Sequence, residues 1–314
     1  MLYYLYTTEK DEQDMEIKLS VINEGIACRK EEFIAECEAQ YYDQVYKIAD
    51  YIRKNFEQRP IILLAGPSGS GKTTTALLLE KLLDASGHET HTISMDNYFR
   101  TMTPEQQRLA AEKKLDLESP DRIDRDLLNQ QLKKILVGET VELPTYDFTD
   151  SRQVFLGNTL TRKPGELVIF EGIHALNPDV IRLPEENTVR IYISVRTRIA
   201  DGDVLLHPSR IRLMRRMLRD RVGRARPAAH TLKMYDSVQR GEDLYIMPYK
   251  PNSMFDIDTL IAYEIGVYKK ELLEELQTLK NKEEVADILD FLSKAQPLDE
   301  TFVPDNSLIQ EFIS

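Results

Sequence analysis

The segment LLAGPSGSGKTTT combines glycine, lysine and hydroxyl residues at a spacing suited to holding phosphate groups. It fits the pattern G-x-x-x-x-G-K-[ST], and it lies between a run typical of a buried strand and a run typical of a helix. Backbone N–H groups in such a loop point at phosphate oxygens, and the N-terminus of the following helix adds partial positive charge. The residues predicted to bind ATP here are Gly66, Ser68, Gly69, Ser70, Gly71, Lys72, Thr73 and Thr74.

Four side chains around this loop suit the chemistry of phosphoryl transfer. Lys72 is expected to reach the β- and γ-phosphates of ATP, and the Thr73 hydroxyl is expected to ligate Mg²⁺. Asp96 ends the run HTISMD and Glu171 ends the run LVIFE, so both should lie at the carboxyl ends of strands, where doubly wound sheets bind ligands. Glu171 is predicted to be associated with Mg²⁺, and Asp96 to take the proton from an attacking hydroxyl. The loop by itself leaves the reaction open, because switches, motors and kinases share it.

A short arginine-rich segment, RIRLMRRMLRDRVGRAR, covers residues 210–226 of a chain whose net charge is −12. Its eight arginines and one aspartate sum to +7, so the rest of the chain carries −12 − 7 = −19. Either a nucleic-acid contact or a clamp on a small polyanion would explain it. Helical spacing places one group of arginines on a single face, beside an apolar stripe that can dock on a core: Arg212, Arg215, Arg216 and Arg219, beside Ile211, Met214 and Leu218.

A nucleic-acid arm would not need that apolar stripe, so the segment is interpreted as a lid that closes over ATP. Arg212 and Arg216 are predicted to bind ATP, and Arg219 is predicted to be catalytic. Arg221 and Arg226 are expected to be solvated surface residues.

The elements that must position these residues follow from hydrophobic periodicity. Short β-rich runs predict strands at RPIILLAG, HTISMD, ELVIFEG, VRIYISV and DIDTLIA, and VELPTYDF and QVFLGNTL predict an extended insertion. Helices are predicted over 31–55, 72–85, 104–113, 124–136, 208–222 and 228–238, with two more in 263–294. This alternation favours an α/β fold of the P-loop NTPase type, a doubly wound parallel sheet with helices on both faces and added N- and C-terminal helices. The expected divisions are an N-terminal extension over 1–58, a P-loop domain over 59–262 with its lid at about 207–227, and a helical extension over 263–314.

Composition limits the class of protein. The chain has 314 residues, of which 42% are hydrophobic, enough to form a core without disulfides. Two cysteines are too few for a disulfide framework, and a start without a basic leader and apolar core predicts no signal peptide. No apolar run approaches the ~20 residues that a membrane span needs, so a cytoplasmic location is expected. The acidic balance disfavours nucleic acid as a partner, while a homo-oligomer stays open.

Six motifs occur in the order seen in uridine kinases and the wider phosphoribulokinase/uridine kinase family: GPSGSGKTT, SMDNYF, SPDRID, LPTYDF, FEGIHALNP and RRMLRD. The resemblance runs from about Pro60 to Ile261, and the tail YEIGVYKKELLEEL further resembles a bacterial subgroup of uridine kinase-like proteins. It implies an ATP- and Mg²⁺-dependent kinase whose acceptor is a small molecule, with uridine or cytidine first.

The resemblance also implies roles for residues that bind the acceptor. Asp96 matches the base that acts on the 5′-hydroxyl, and Glu118 matches an acid that holds the ribose hydroxyls. The remaining residues expected at the acceptor site are Tyr98, Tyr146, Phe148, Arg224 and His230, of which Tyr146 and Phe148 match residues flanking the nucleobase.

Departures from the family pattern concern the base. The histidine usual just after YDF is missing from YDFTDSRQ, and Arg210 and Ile211 replace an Asp-Thr pair before the lid arginine. Phosphoryl transfer to a small alcohol is compatible with these changes. Other acceptors therefore stay open, such as a sugar phosphate, pantothenate or glycerate. The alternative from another class is a nucleotide-binding regulator or RNA-associated protein that hydrolyses ATP slowly.

Overall fold

The structure is a computed structural model that describes residues 15–313, apart from the side chain of Arg224. Ten strands are present in this part of the chain: β1 (Glu16–Lys18), β2 (Ile61–Ala65), β3 (Thr90–Ser94), β4 (Val141–Asp147), β5 (Arg152–Leu160), β6 (Leu167–Glu171), β7 (Thr188–Ser194), β8 (Arg198–Asp201), β9 (Val204–Leu206) and β10 (Phe255–Asp258). The helices of the same part are α1 (Leu19–Cys28), α2 (Lys30–Asn55), α3 (Lys72–Ala85), α4 (Pro104–Ala111), α5 (Arg125–Leu136), α6 (Pro208–Arg224), α7 (Ala228–Tyr245), α8 (Glu264–Gln277), α9 (Ala286–Lys294) and α10 (Gln310–Ile313).

The chain forms two compact units, each assembled from separate segments. The sheet unit comprises 42–193 and 234–257, and the accessory unit comprises 15–41, 194–233 and 258–313 of the described residues. This division follows packing, whereas the boundaries expected at 58/59 and 262/263 follow motif content, and those stay a prediction.

A five-stranded sheet in the order β10-β7-β2-β6-β3 organises the sheet unit. β2 pairs in parallel with both β6 and β7, and β3 pairs in parallel with β6. Every residue of β2 and of β6 is buried, as expected for strands covered on both faces. The predicted α/β fold with a parallel sheet is confirmed.

An antiparallel hairpin of β4 and β5 forms the predicted extended insertion of the sheet unit. The helix before it, α5, begins where the Asp124 carboxylate accepts a hydrogen bond of 3.2 Å from the backbone N–H of Leu127, an N-cap that satisfies one free donor of the first turn. α5 then buries Leu128, Leu132 and Ile135, spaced by four and three residues along one face.

The accessory unit contains a small sheet that hydrophobic periodicity did not predict. β1 pairs in parallel with β8, and β8 pairs in antiparallel with β9. α6 packs against α8 and α10, and its predicted apolar stripe is fully buried at Ile211, Met214 and Leu218. The two predicted tail helices are present as α8 and α9, and α7 extends beyond the expected 228–238.

Candidate functional site

The phosphate loop connects the end of β2 to the start of α3, as the sequence predicts. Gly69 and Gly71 have φ angles of +76° and +85°, in the left-handed region that glycine tolerates. A Cβ atom on Gly66 would lie 2.1 Å from the backbone oxygen of Ile193, on the neighbouring strand β7. Glycine is therefore required at Gly66 by close backbone approach and at the other two positions by conformation.

Side chains of the loop are placed by short-range contacts. The Ser70 N–H donates to the Pro67 carbonyl over 3.2 Å, and the Lys72 ammonium donates to the same carbonyl over 3.1 Å. The Ser70 hydroxyl is buried and has no hydrogen-bond partner among the described residues, while Thr73 is exposed at the first turn of α3. The loop thus presents an unsatisfied hydroxyl and an ammonium ion that an arriving phosphate could recruit.

Strand register places Glu171 at the centre of this edge of the sheet. Its Cα pairs with Leu64 on β2 and with Ser94 on β3, so it lies between the strand before the phosphate loop and the strand before Asp96. Glu171 is only 6% exposed. The carboxylate predicted to assist Mg²⁺ is therefore on the strand that lies between β2, which leads into the phosphate loop, and β3, which leads into Asp96.

Asp96 lies in a short 3-10 helix, Met95–Tyr98, rather than at the end of the strand, because β3 ends at Ser94. This turn approaches the β6 terminus closely, since a Cβ atom on Gly172 would lie 2.7 Å from the Met95 Cβ. Asp96 is half-buried. The geometry keeps the predicted base near the carboxyl end of β6.

The β4–β5 hairpin is bound to the same turn. The Asn97 side-chain oxygen accepts from the Tyr146 N–H over 3.3 Å, and the Asn97 carbonyl accepts from the Gln153 amide over 3.2 Å. Tyr146 packs edge-to-face on Phe99 at 5.6 Å and on Phe148 at 5.0 Å between ring centroids. The predicted base and the aromatic residues predicted to flank the acceptor are thus joined through Asn97.

Exposure separates the three aromatic residues that were predicted to bind the acceptor. Phe148 is 66% exposed, whereas Tyr146 is 6% exposed. Tyr98 is fully buried, its hydroxyl donates to the Gln131 side chain over 2.8 Å, and burial raises its pKa. The prediction for Tyr98 is therefore wrong: it is a core residue that anchors the turn on α5.

Glu118 lies in a loop that packs on the part of α7 within the sheet unit. A Cβ atom on Gly241 would lie 2.4 Å from the Glu118 Cβ. The neighbouring Asp116 accepts hydrogen bonds from the Tyr245 hydroxyl at 2.9 Å and from the Glu118 N–H at 3.1 Å. Contacts at Asp116 and at Glu118 therefore hold this loop against α7.

His174 follows β6 and is 1% exposed. Its ring packs edge-to-face against Tyr245, with 6.2 Å between ring centroids. Burial lowers the pKa of His174 to about 4, so the imidazole is neutral near pH 7. His174 is therefore suited to packing. Near pH 7 too little of its imidazole is protonated for it to act as a general acid.

The arginines of α6 belong to the accessory unit and differ in their partners. Arg215 is fully buried and binds Glu264 through its Nε at 2.7 Å and its Nη2 at 2.8 Å, so this arginine forms a structural ion pair within the accessory unit. Burial alone would lower the pKa of Arg215, but the Glu264 carboxylate outweighs it and the net shift is upward. Arg221, expected to be solvated, instead pairs with Glu271 at 2.5 Å.

The arginines that were predicted to bind ATP or to act in catalysis stay predictions. Arg212 is 7% exposed, and the Nε of Arg216 lies 3.9 Å from an Asp220 carboxylate oxygen. Arg219 is half-buried on the same helix, and His230 lies early in α7, within the accessory unit. The side chain of Arg224 is outside the described part of the chain.

Sequence reasoning missed Arg122, which lies at the end of the short helix Pro120–Arg122 in the SPDRID motif. It is 6% exposed, and its Nη2 donates to the Tyr146 hydroxyl over 3.1 Å. An arginine is ordinarily exposed, so only the folded structure reveals its burial beside Tyr146. The SPDRID motif was the signal in the sequence that could have drawn attention to Arg122.

A group of three possible metal donors lies away from the phosphate loop, before and within the first residues of β3 and β6. Glu89, His91 and Glu166 bring one donor atom each within 4.8 Å of one another. The Lys163 ammonium lies 3.0 Å from Glu166 and 3.8 Å from Glu89, so an internal cation already balances these carboxylates. The group is a satisfied ion-pair network.

A parallel sheet, a glycine-rich loop between β2 and α3, and carboxylates beside that loop define a P-loop nucleotide-binding protein. The model of the phosphoribulokinase/uridine kinase family matches residues 61–262. The chain belongs to this family, and it is a P-loop protein of a kinase family. None of the helices in 15–313 is long and apolar enough to cross a membrane.

Two similar proteins illustrate the match. A uridine kinase of Staphylococcus aureus (strain JH9) is 34% identical over 193 residues, which cover 60% of this chain and 83% of that relative. The structure of a possible uridine kinase from Bacillus stearothermophilus is 17% identical with a TM-score of 0.44, covering 69% of this chain and 98% of the other.

Proposed function

We propose that the protein is an ATP-dependent kinase that transfers the γ-phosphoryl group to a hydroxyl of a small acceptor. The preferred acceptor is the 5′-hydroxyl of a nucleoside, uridine or cytidine. The observation that carries the proposal is the placement of Asp96, in a turn that follows β3, beside the β6 terminus that bears Glu171 and joined through Asn97 to an aromatic hairpin. A switch or a slow ATPase needs no such carboxylate beside an aromatic surface.

The phosphate loop fits ATP. The requirement for glycine at Gly66, the positive φ angles and the buried, unsatisfied Ser70 hydroxyl are features of a loop shaped to bind an anion. The N–H groups of the loop and the Lys72 ammonium would bind the β- and γ-phosphates. Thr73 and Glu171 would hold Mg²⁺, which supplies neutralisation of phosphate charge when bound.

At the acceptor end, the Asp96 carboxylate orients the acceptor hydroxyl and accepts its proton. The hydroxyl oxygen forms a bond to the γ-phosphorus, the bond to the β–γ bridging oxygen breaks, and ADP leaves. Glu118 can accept two hydroxyl donors at once, which suits a ribose diol. Such transfer depends almost entirely on positioning and electrostatics, so rigid placement of these groups is the main requirement.

A nucleoside is favoured by two further facts. The relative from Staphylococcus aureus, 34% identical, is named a uridine kinase. Phe148 exposes two thirds of its surface next to Tyr146, and an exposed aromatic face offers a flat base a surface on which to stack.

The proposal is tested by ADP release with ATP, Mg²⁺ and a panel of uridine, cytidine, purine nucleosides, glycerate, pantothenate and sugar phosphates. We expect a pyrimidine nucleoside to raise ADP release well above the rate without acceptor. Release that no member of the panel stimulates would contradict a kinase and favour a slow ATPase. Stimulation by a non-nucleoside alone would support kinase activity but show that the acceptor is not a nucleoside.

The nucleotide half is tested separately by Lys72→Ala, with exposed Lys81→Ala on the same helix as control. Loss of a charge-assisted contact should weaken ATP binding by roughly 10-fold or more, measured by titration calorimetry. An unchanged ATP affinity in Lys72→Ala would contradict the proposal that this loop binds the phosphates of ATP.

A further inference from the structure

Arg122 is a buried guanidinium with almost all of its hydrogen-bonding capacity unused. Among residues 15–313, its only side-chain hydrogen bond is the one from Nη2 to the Tyr146 hydroxyl, and no acidic side chain pairs with it. Its charge also faces the ring of Phe99, 5.8 Å from the ring centroid. A guanidinium has five N–H donors, so most of those on Arg122 are available to a ligand.

The backbone around Arg122 is rigid and close to the catalytic turn. The Arg122 carbonyl accepts from the Arg100 N–H over 2.7 Å, and the Asp124 N–H donates to the Tyr98 carbonyl over 2.7 Å. Phe99 and Ile123 form an antiparallel bridge between these two segments. Arg122 is therefore tied to the turn that carries Asp96, and not to a mobile surface loop.

The polar groups at this place can only donate. Arginine has no acceptor atom. The Tyr146 hydroxyl already accepts from Arg122, so its own proton remains to be donated. A ligand atom that binds both must therefore be a hydrogen-bond acceptor, and an oxygen without a hydrogen, as in a carbonyl, carboxylate or phosphate, is best suited to accept from two donors.

We propose that Arg122, with Tyr146, determines the acceptor specificity by binding a hydrogen-free oxygen at the end of the acceptor farthest from the phosphorylated hydroxyl. In a pyrimidine nucleoside this oxygen is the 4-oxo group of uracil, which cytosine replaces with an amino donor. A carboxylate or phosphate of another alcohol offers the same chemistry. The inference rests on the proposed function, since it assumes that Asp96 lies at the reacting hydroxyl.

The first test uses the unmodified protein and compares kcat/KM for uridine, cytidine and anionic alcohols. A charge-assisted hydrogen bond that only one base can make should favour uridine over cytidine by roughly 10- to 100-fold. An anionic alcohol that exceeds uridine would identify the oxygen as anionic. Equal use of uridine and cytidine, with no preference for an anion, would overturn the inference.

The second test uses Arg122→Gln, which can offer both a donor and an acceptor, and Arg122→Lys, which keeps the charge without the planar fork. The uridine preference should fall toward equality in Arg122→Gln through a higher KM for uridine, and it should be intermediate in Arg122→Lys. Tyr146→Phe should reduce the same preference, because it removes the hydroxyl that orients the guanidinium. Arg100→Gln is the matched control, since that arginine lies on the paired segment with its side chain 53% exposed, and it should keep the preference.

Thermal unfolding of each variant separates a specificity change from misfolding. If Arg122→Gln does not fold, the preference of the unmodified protein and of Tyr146→Phe still decides. A preference that persists in folded Arg122→Gln overturns the inference while leaving the kinase intact. Absence of any acceptor-stimulated ADP release in the unmodified protein contradicts the proposed function instead.

Discussion

Asp96 is the residue on which the proposed chemistry depends, because the turn that carries it lies beside the β6 terminus and is bound through Asn97 to the aromatic hairpin. Asp96→Asn keeps the size and removes the ability to accept a proton. We expect kcat to fall by roughly 10²- to 10⁴-fold while ATP affinity stays unchanged. Steady-state kinetics and nucleotide titration measure the two effects.

Exposed Asp126→Asn on α5 is the control for Asp96→Asn, and it should behave as the unmodified protein. Turnover within a factor of about two of normal in Asp96→Asn would remove this residue as the base, whatever the acceptor.

Residue roles were predictable where a short pattern carries the chemistry. The glycines and Lys72 of the phosphate loop obey a local spacing, and the structure has the expected strand, loop and helix around them. Tyr98 and Arg122 could not be assigned this way, because their roles depend on burial. One of two aromatic neighbours in SMDNYF points into the core, and no periodicity in SPDRID marks an arginine as buried.

The junction between β2 and the phosphate loop depends on one glycine. In Gly66→Ala the added methyl group would collide with the Ile193 carbonyl, which belongs to β7 and cannot move without disturbing the sheet. We expect the free energy of unfolding to fall by roughly 1–3 kcal/mol and ATP affinity to fall with it. Urea denaturation and nucleotide titration are the measurements.

Gly223→Ala on α6 is the matched control for the loop, since a Cβ atom there has nothing within 4 Å. It should be neutral or stabilising by up to about 1 kcal/mol, because alanine favours a helix. A Gly66→Ala protein as stable as Gly223→Ala would show that β2 and β7 are not as close as described.

The pairing of α6 with α8 depends on the buried Arg215–Glu264 ion pair. Arg215→Met leaves a buried carboxylate without its partner, and we expect a loss of roughly 3–5 kcal/mol in the free energy of unfolding. Arg53→Met, in an exposed pair with Asp50, should cost less than about 1 kcal/mol. Chemical denaturation compares the two.

A double variant, Arg215→Met with Glu264→Gln, checks the cause of that loss. It should recover part of the stability, because no buried charge is left unpaired and the amide keeps an acceptor oxygen for the Tyr268 hydroxyl and the Ile261 N–H. If the double variant is less stable than the single one, the unpaired carboxylate is not the source of the loss.

Elements were predictable from sequence when their periodicity is local. α2, α3, α5 and the strands β2, β3, β6 and β7 begin and end close to their expected positions, whereas β10 ends at Asp258, four residues before the end of the predicted run DIDTLIA. The β1-β8-β9 sheet was not predicted, because β1 and β9 have only three residues each and β1 pairs with a strand about 180 residues later in the chain. Partners so distant leave no periodic pattern in either segment.

Part of the positive charge in the basic segment 210–226 forms ion pairs within the protein. Arginines of 210–226 pair with acidic residues of the C-terminal helices: Arg210 with Asp287, Arg215 with Glu264, and Arg221 with Glu271. The acidic C-terminal helices therefore balance part of the basic segment. Ion pairs within the accessory unit thus account for part of the positive charge in this segment.

Within the accessory unit, Glu38 of α2 connects the N-terminal part of the chain to the C-terminal part. Its carboxylate accepts hydrogen bonds from the hydroxyls of Tyr263 and Ser307, the latter over 2.6 Å. Burial raises the pKa of Glu38 despite these hydrogen bonds. The folded protein therefore binds this proton more tightly than the unfolded chain.

Stability should accordingly fall as pH rises from the unfolded pKa of Glu38, about 4.3, through its higher folded value. Glu38→Gln keeps an acceptor for both hydroxyls without a charge, so it should be more stable than the unmodified protein at pH 7. The dependence of the free energy of unfolding on pH that arises from Glu38 should be absent in this variant. Urea denaturation across pH 4–8 measures it, with exposed Glu32→Gln as control. A Glu38→Gln protein that is less stable at pH 7 would contradict burial of the charged form.

The central claim is that the γ-phosphoryl group of ATP is transferred to an acceptor hydroxyl and not to water. Incubation of the protein with γ-labelled ATP, Mg²⁺ and uridine, followed by separation of products, tests it most directly. We expect label in the 5′-monophosphate of uridine in proportion to the ADP formed, and a rate of labelling roughly 10²-fold or more lower with Asp96→Asn. Label found only in inorganic phosphate, with every nucleoside and small alcohol offered, would contradict it.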